Sequence, residues 1–292
     1  MDIETKVATL MEAMPYIKKY SGKTIVVKYG GNAMINEELK NAVIQDVVML
    51  KLLGMKPVLV HGGGPGINQM LEQLQIEVEF INGLRKTTGG VIDVVQMVLV
   101  GKINNELVSL INKAGGVAAG LSGISANMLL CEKKQGEVDL GFVGEVVKVN
   151  VDPINALLDA GYIPVVSPVG TDGKGQSYNI NADIAAGKIA GALQAEKFML
   201  LTDIEGLCND IKVRDVISYL NVKDVQGLKD KGTIAGGMIP KIDCCVQAIE
   251  EGVTSVHIID GRKPHSIIFE AFTNEGIGTT VGTAQESVGI KW

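Results

Sequence analysis

Two short apolar runs, each halted by glycines, decide how this chain folds: Ile25-Val26-Val27-Lys28-Tyr29-Gly30-Gly31-Asn32 and Val58-Leu59-Val60-His61-Gly62-Gly63-Gly64-Pro65-Gly66. A run rich in Val and Ile that stops at glycine reads as a buried strand ending in a loop. A periodic, helix-like stretch follows each one, the order in which a parallel sheet opens its ligand crevice. Consecutive glycines bare backbone N–H groups that can point at anionic oxygens with no side chain in the way. One such loop could hold a phosphate. Two side by side point to a phosphate in motion.

Outward from the loops, residues 36–53 read as a helix with Leu39, Val43, Val47, Leu50 and Leu53 near one face, and 67–74 as another. Residues 76–82 alternate like a half-exposed strand, 91–111 form a long helix, and 116–119, 128–131 and 142–149 are strands, the later ones in hairpin order. Helix 153–160 and strand 162–166 lead to the turn-rich stretch 170–176, a hinge candidate. Helix 181–193, strand 197–201, helix 238–251, strand 255–259 and a helix from His265 follow. The alternation predicts an α/β fold with a mostly parallel central sheet between helices on both faces, a three-layer αβα sandwich. Ahead of it, Ile3, Val7, Leu10, Met11, Met14 and Ile17 share one helical stripe, with Pro15 placed to kink the helix. That helix either packs on its own domain or bridges subunits.

Composition excludes several classes. Hydrophobic residues at 46% with only 4% aromatics suit a Val/Ile/Leu/Ala-built parallel sheet in a chain of 292 residues. A net charge of −6 and only three arginines argue against nucleic acid. No apolar run approaches the roughly 18 residues of a membrane span, and the acidic start Asp2-Ile3-Glu4 is unlike a secretion signal. Four cysteines without CxxC spacing and three histidines without metal-ligand spacing point to a reducing compartment and no protein-held metal. The expectation is a soluble cytoplasmic protein.

The glycine loops also fail the common nucleotide patterns. GxGxxG breaks at Ile67 or Gln69, and the only Gly-Lys-Thr, 22–24, has Ile17 where a Walker A loop needs glycine. His61-Gly62-Gly63-Gly64 has the form of a hydrolase oxyanion loop, but Ser122 lies in Gly-Leu-Ser-Gly-Ile, without the final glycine of a nucleophile elbow.

Three polar features remain. Lys28 ends a buried strand, where an ammonium must find an anion. Asn179 and Asn181 alternate as if sharing one face of a strand, and Asp183 stands at a helix start, where an Asn or Asp is often just a cap. Lys241 lies in the first turns of a helix after Gly236-Gly237; alone it would be read as solvated surface.

Together, Val27–Met34, Val60–Pro65, Asn82-Gly83-Leu84-Arg85, Asn179-Ile180-Asn181-Ala182-Asp183, Leu201–Gly206 and Gly236–Lys241 resemble the amino acid kinase family. Six weak motifs in the right order cover nearly the whole chain, closest to members that phosphorylate N-acetylglutamate. The resemblance implies ATP as phosphoryl donor, Mg²⁺ carried mainly by its phosphates, and N-acetyl-L-glutamate as acceptor, the second step of arginine biosynthesis. By the same resemblance Lys28, Lys241 and Asp183 are catalytic; Gly63, Gly64, Arg85, Asn179 and Asn181 bind the acceptor; Gly30, Gly31 and Gly62 offer amides to phosphate; and Thr202, Asp203, Gly206 and Gly237 lie at the nucleotide. It divides the chain into an oligomerisation helix (1–20), an acceptor lobe (21–175) and an ATP lobe (176–292). Arg85 could otherwise be a surface salt bridge.

The first helix and the C-terminal residues His265, Glu270, Glu275 and Gly278 resemble those of arginine-inhibited hexameric members, which implies a homohexamer with L-arginine as effector. Some relatives bind the PII nitrogen-signalling protein, a partner no residue here supports. Departures from the family pattern are Ile124-Ser125 in place of Lys-Asp, Thr88 in place of an acidic residue, and Thr280 in place of Met. They leave open a kinase for N-acetyl-aminoadipate or another acidic amino acid. A non-catalytic arginine sensor is the alternative from another class, and the retained Lys28, Lys241 and Asp183 argue against it.

Overall fold

The computed structural model describes residues 2–210, 215–273 and 276–283. Helix α1 (Ile3–Tyr20) runs on through Pro15 and leads into β1 (Thr24–Tyr29), the first glycine loop and α2 (Glu37–Leu52). Then come β2 (Lys56–His61), the second glycine loop and α3 (Gly64–Gln73). The alternating stretch 76–82 is strand only at β3 (Phe80–Ile81), which pairs with β4 (Leu84–Arg85) across Asn82 and Gly83, both at positive φ. The Asn-Gly turn ends β3 at Ile81, and residues 76–79 before it, despite their alternation, form no strand.

A long helix α4 (Gly89–Lys113) contains a π-helical stretch over Met97–Ile103. Among the described residues it alone has the length and apolarity of a membrane span. Val91, Val95, Leu99, Leu107 and Ile111 instead join the core beneath the sheet.

Strand β5 (Ala118–Ser122) is followed by β6 (Leu129–Lys133), β7 (Gly144–Val149), α5 (Asp152–Asp159) and β8 (Ile163–Ser167). Of the hinge candidate 170–176, Gly170 and Thr171 belong to β9 (Val169–Thr171), and 172–176 form the turn to β10 (Ser177–Asn179), where Asp172 Oδ1 accepts from the Lys174 and Gln176 amides. After α6 (Ala182–Ala192) and β11 (Lys197–Thr202) come β12 (Cys208–Asp210), β13 (Asp215–Val216), β14 (Tyr219–Asn221) and α7 (Val225–Asp230). Helix α8 (Met238–Glu250), β15 (Ser255–Asp260), α9 (Ser266–Phe272) and β16 (Thr279–Gly282) complete the described chain.

The main sheet has the order β14-β16-β15-β11-β1-β2-β8-β5, parallel except for β16 against β15. A smaller sheet, β10-β9-β6-β7, lies beside it. Strands β1, β2 and β11 are adjacent and buried, so both glycine loops leave one sheet edge at the carboxyl ends of its strands. Side chains alternate across a strand. Ile25, Val27 and Leu59 therefore join a core with α2, α3 and α4, while Val26, Val58 and Val60 join a second core with Ala185, Ile189, Ile242 and Cys245. These two cores are the spaces between the layers of the sandwich. Lys28 shares the face of Val26 and points toward α6 and α8; His61 shares the face of Leu59 and points toward α4.

Candidate functional site

The close approach of α6 and α8 builds the centre of the site. A Cβ at Gly187 would lie 2.8 Å from Cys244 Sγ, so glycine lets the helices touch there. Cys244 Sγ donates to the Asp183 carbonyl at 3.1 Å. One turn before Cys244, Lys241 Nζ reaches Asp183 Oδ2 at 2.8 Å. From the sheet, Lys28 Nζ meets Asp183 Oδ1 at 2.9 Å. One carboxylate thus bridges two ammonium groups supplied by a strand and a helix more than two hundred residues apart.

The residue that caps α6 is Asn181, whose Oδ1 accepts from the amides of Asp183 and Ile184. Capping by Asn181 frees Asp183 for the lysines, and it takes Asn181 out of the strand it was expected to share with Asn179. Burial alone would push the Asp183 carboxyl up, but Lys28 and Lys241 outweigh it and hold it below its ordinary value. The buried charge is tolerable because both its oxygens are paired.

Two cavities open on either side of this bridge. The first, about 300 Å³, is walled by Lys28, the Gly62-Gly63-Gly64 loop, Arg85, Asn179 and Asp183. Arg85 is buried, and its Nη2 donates to the Gly64 carbonyl at 3.4 Å while Nη1 has no partner. Its guanidinium lies 4.7 Å over the Phe80 ring, and no carboxylate pairs with it among the described residues. A buried guanidinium with a spare N–H is a ready clamp for an anion. Asn179 Nδ2 donates to Thr87 Oγ1 at 3.1 Å, and Thr87 Oγ1 donates to the Arg85 carbonyl at 2.8 Å, so Thr87 couples two walls of this cavity.

Of the second-loop amides, Gly62 N–H donates to the Tyr29 carbonyl at 2.7 Å and is not available to phosphate as expected. The Gly63 and Gly64 amides begin α3 and have no carbonyl one turn back to accept them. Ile180, within the 179–183 motif, also lines the wall, as do Leu99, Val143 and Pro168; nothing in the local sequence marks these three, because they converge from separate parts of the chain.

The second cavity, about 370 Å³, is lined by Lys28, Gly30, Gly31, Leu201, Thr202, Asp203, Gly237, Met238 and Lys241. Gly31 has φ 71° and its missing Cβ leaves room for the Asp203 carboxylate, 2.8 Å from where that atom would be. Gly206 is not on the wall; it is pressed against Thr279 and Val216, which explains a glycine there by packing. Lys28, Gly30 and Gly31 border both cavities.

The proposed effector residues lie elsewhere. His265 begins α9 with φ 59° and its Nδ1 sits 2.7 Å from Asp46 Oδ1. Glu270 points inward to His257 Nδ1 at 2.6 Å and accepts from the Ile277 amide at 2.8 Å. Gly278 runs so close to the Ile258 carbonyl that no side chain fits, and Glu275 lies outside the described residues. Of the departures from the family pattern, Thr88, Ile124 and Ser125 line neither cavity, and Thr280 Oγ1 lies 3.2 Å from His257 Nδ1.

Comparison with known proteins follows the same outline. Residues 23–260 match the amino acid kinase family. The chain belongs to that family. Among its relatives, this amino acid kinase is 53% identical over 278 residues to an acetylglutamate kinase of Caldanaerobacter subterraneus, covering 95% of this chain and 93% of that one. It is 52% identical over 287 residues to an acetylglutamate kinase of Heliobacterium modesticaldum, covering 94% and 97%. Of solved structures, N-acetylglutamate synthase from Neisseria gonorrhoeae, complexed with coenzyme A and N-acetyl-glutamate, superposes with a TM-score of 0.84 at 26% identity over 96% of this chain. This kinase spans 64% of that synthase's length. Carbamate kinase from Giardia lamblia bound to AMP-PNP shares the fold, with a TM-score of 0.64 at 18% identity over 91% of this chain and all of its own.

Proposed function

We propose that this kinase transfers the γ-phosphoryl group of ATP to the side-chain carboxylate of N-acetyl-L-glutamate, producing N-acetyl-L-glutamyl 5-phosphate for arginine biosynthesis. The observation that carries the reading is the Lys28–Asp183–Lys241 bridge standing between two cavities, in a chain about half identical to acetylglutamate kinases.

The chemistry asks little of acid–base groups. A glutamate side chain ionises near a pKa of about 4.3, so at neutral pH the acceptor is already a nucleophile. The barrier lies in bringing two anions together and in the charge spread over an in-line phosphoryl group. Lys28 from the sheet and Lys241 from α8 approach that group from two sides, and Asp183 keeps both ammonium groups aimed at it. Asp183 does not take the acceptor's proton, because none has to be removed.

The acceptor occupies the cavity of Arg85, with its α-carboxylate on the guanidinium, its reacting carboxylate at the Gly63 and Gly64 amides, and Asn179 on its amide portion. ATP occupies the cavity of Thr202, Asp203 and Gly237, with its phosphates reaching Gly30 and Gly31. Among the described residues no group of three or more His, Cys, Asp or Glu could hold a metal ion by itself. Mg²⁺ would be carried by the nucleotide phosphates, where it needs few protein ligands, and would offset their charge.

Helix α1 exposes Val7, Leu10, Met11 and Met14 together, an apolar stripe that supports the reading of residues 1–20 as an oligomerisation element in a hexamer. The effector role of L-arginine rests on the resemblance of His265 and Glu270, around α9 and away from both cavities, to the residues of arginine-inhibited members. All four cysteines are free thiols, in keeping with a cytoplasmic enzyme.

The test is ATP-dependent hydroxamate formation with N-acetylglutamate, glutamate, aspartate and N-acetyl-aminoadipate, each with and without millimolar arginine. Acetylglutamate is expected to give the highest kcat/KM, reduced by arginine. The longer acceptor is the close competitor, since one methylene is worth only about 1–3 kcal/mol. Preference for another acceptor contradicts the substrate assignment, and indifference to arginine contradicts the effector assignment.

A further inference from the structure

His61 takes no part in the lysine bridge, yet it is fully buried and sits one residue before the acceptor loop. Its ring faces α4, where Asn104 Nδ2 lies 3.1 Å from His61 Nε2. The same Asn104 nitrogen is 2.9 Å from the Val165 carbonyl and 3.3 Å from the Leu121 carbonyl. An atom surrounded by carbonyl oxygens is the NH₂ end of the amide, and it can only donate. His61 Nε2 must therefore be the acceptor and carry no proton.

Burial holds the imidazole well below its ordinary range, at about 4, so the ring is neutral at working pH. A neutral imidazole has one N–H, and here it resides on Nδ1, 2.8 Å from the Gly62 carbonyl oxygen. In a trans peptide the C=O and the following N–H point in opposite directions. Drawing the Gly62 carbonyl onto the buried ring thus turns the Gly63 N–H away from the core, to the cavity walled by Gly62, Gly63 and Gly64. A rotated peptide would instead present a carbonyl lone pair to an anionic acceptor. Packing reinforces the arrangement, because Leu99 and Ile103, from the π-helical part of α4, reach within 2.5 Å of where a Gly63 Cβ would be.

We infer that His61, kept in its Nδ1–H tautomer by Asn104, is a positioning residue that orients the Gly62–Gly63 peptide so that the Gly63 amide donates to the acceptor carboxylate. This rests on the assignment of that cavity to the acceptor.

Asparagine and glutamine variants separate the two ring nitrogens, since Asn Nδ2 occupies the bond position of His Nδ1 and Gln Nε2 reaches toward that of His Nε2. The expectation is that His61→Ala and His61→Gln lower kcat/KM for acetylglutamate by about 10²-fold, the loss typical of one preorganised donor. His61→Asn should recover most of that loss, while the KM for ATP stays within about twofold in all three. On the unmutated enzyme, ¹⁵N-edited two-bond NMR should show His61 as the Nδ1–H tautomer, unchanged from pH 6 to 8. The signals of the other two histidines can be identified with His257→Asn and His265→Asn. An Nε2–H tautomer overturns the proposal even if no His61 variant folds. So does an asparagine variant no better than glutamine, or an ATP KM that moves as far as the acceptor's. If wild-type enzyme phosphorylates no acetylglutamate, the cavity assignment fails first, and the positioning role with it.

Discussion

The two glycine loops look alike in sequence, and the structure needs glycine in each for a different reason. In the first loop the space is taken by charge. A Cβ at Gly30 would lie 2.9 Å from Lys28 Nζ, and one at Gly31 would lie 2.8 Å from an Asp203 oxygen. In the second, apolar tips crowd the backbone: Leu99 and Ile103 approach Gly63 to within 2.5 Å. The first loop thus makes room for two charged side chains, Lys28 and Asp203, on the wall of the cavity proposed for ATP. The second is clamped from behind, on the wall of the cavity proposed for the acceptor. A moving phosphoryl group needs one side that follows its charge and one side that fixes the nucleophile.

The largest expected effect falls on the charged side. Lys28→Ala, Lys241→Ala and Asp183→Asn should each lower kcat by about 10²–10³-fold or more, as loss of a preorganised electrostatic group does. Steady-state kinetics with circular dichroism to verify folding would check this, and near-normal turnover in both lysine variants would remove the bridge from the mechanism.

Next comes an exchange of small side chains between the loops. Gly63→Ala should destabilise the protein by about 1–3 kcal/mol through overpacking and raise the KM for acetylglutamate. Gly31→Ala should instead raise the KM for ATP, because it displaces Asp203 and strains a residue at φ 71°. Adding Leu99→Ala to Gly63→Ala should restore part of the acceptor affinity, a non-additivity expected of side chains in contact. Equal effects of the two glycine variants on both substrates would erase the distinction between the loops.

A third prediction concerns pH. The Asp183 carboxyl is held below its unfolded value by the two lysines. The stability this contributes is complete at neutral pH and is lost as pH falls below about 4, toward and through the lowered folded value. Denaturation of wild type and Asp183→Asn should therefore differ at pH 7 and converge in acid. A gap that widens in acid would contradict the pairing. The smallest effect belongs to the cap: Asn181→Ala should cost about 0.5–2 kcal/mol, read as a lower thermal midpoint.

Much of this was legible in the sequence, for identifiable reasons. Buried parallel strands are continuous Val/Ile/Leu runs, so β1, β2, β8, β11 and β15 stand out by composition alone, and Lys28 stands out because it interrupts one. The pairing of Lys28 with Lys241 was not legible from spacing, since it depends on how closely α6 approaches α8 across Gly187. The capping role moved from Asp183 to Asn181 because two adjacent Asx-type residues at a helix start look equivalent until one of them finds lysines. His61 and Asn104 gave no signal as a pair: they are 43 residues apart, one at the end of β2 and the other on α4 directly after its π-helical stretch. Phe80, Leu99 and Val143 reach the cavity proposed for the acceptor from stretches whose sequence reads as ordinary strand or core helix.

The most direct test of the account follows the oxygen. N-acetylglutamate labelled with ¹⁸O in its side-chain carboxylate is incubated with ATP, Mg²⁺ and the enzyme, and the product is trapped with hydroxylamine. Attack of the carboxylate on the γ-phosphorus leaves one carboxylate oxygen bridging carbon and phosphorus. Hydroxylamine then attacks the acyl carbon and releases that oxygen with the phosphate. Inorganic phosphate carrying one ¹⁸O, formed in step with hydroxamate, is the predicted result. Phosphate released without label would mean that water, and not the carboxylate held between the two loops, receives the phosphoryl group.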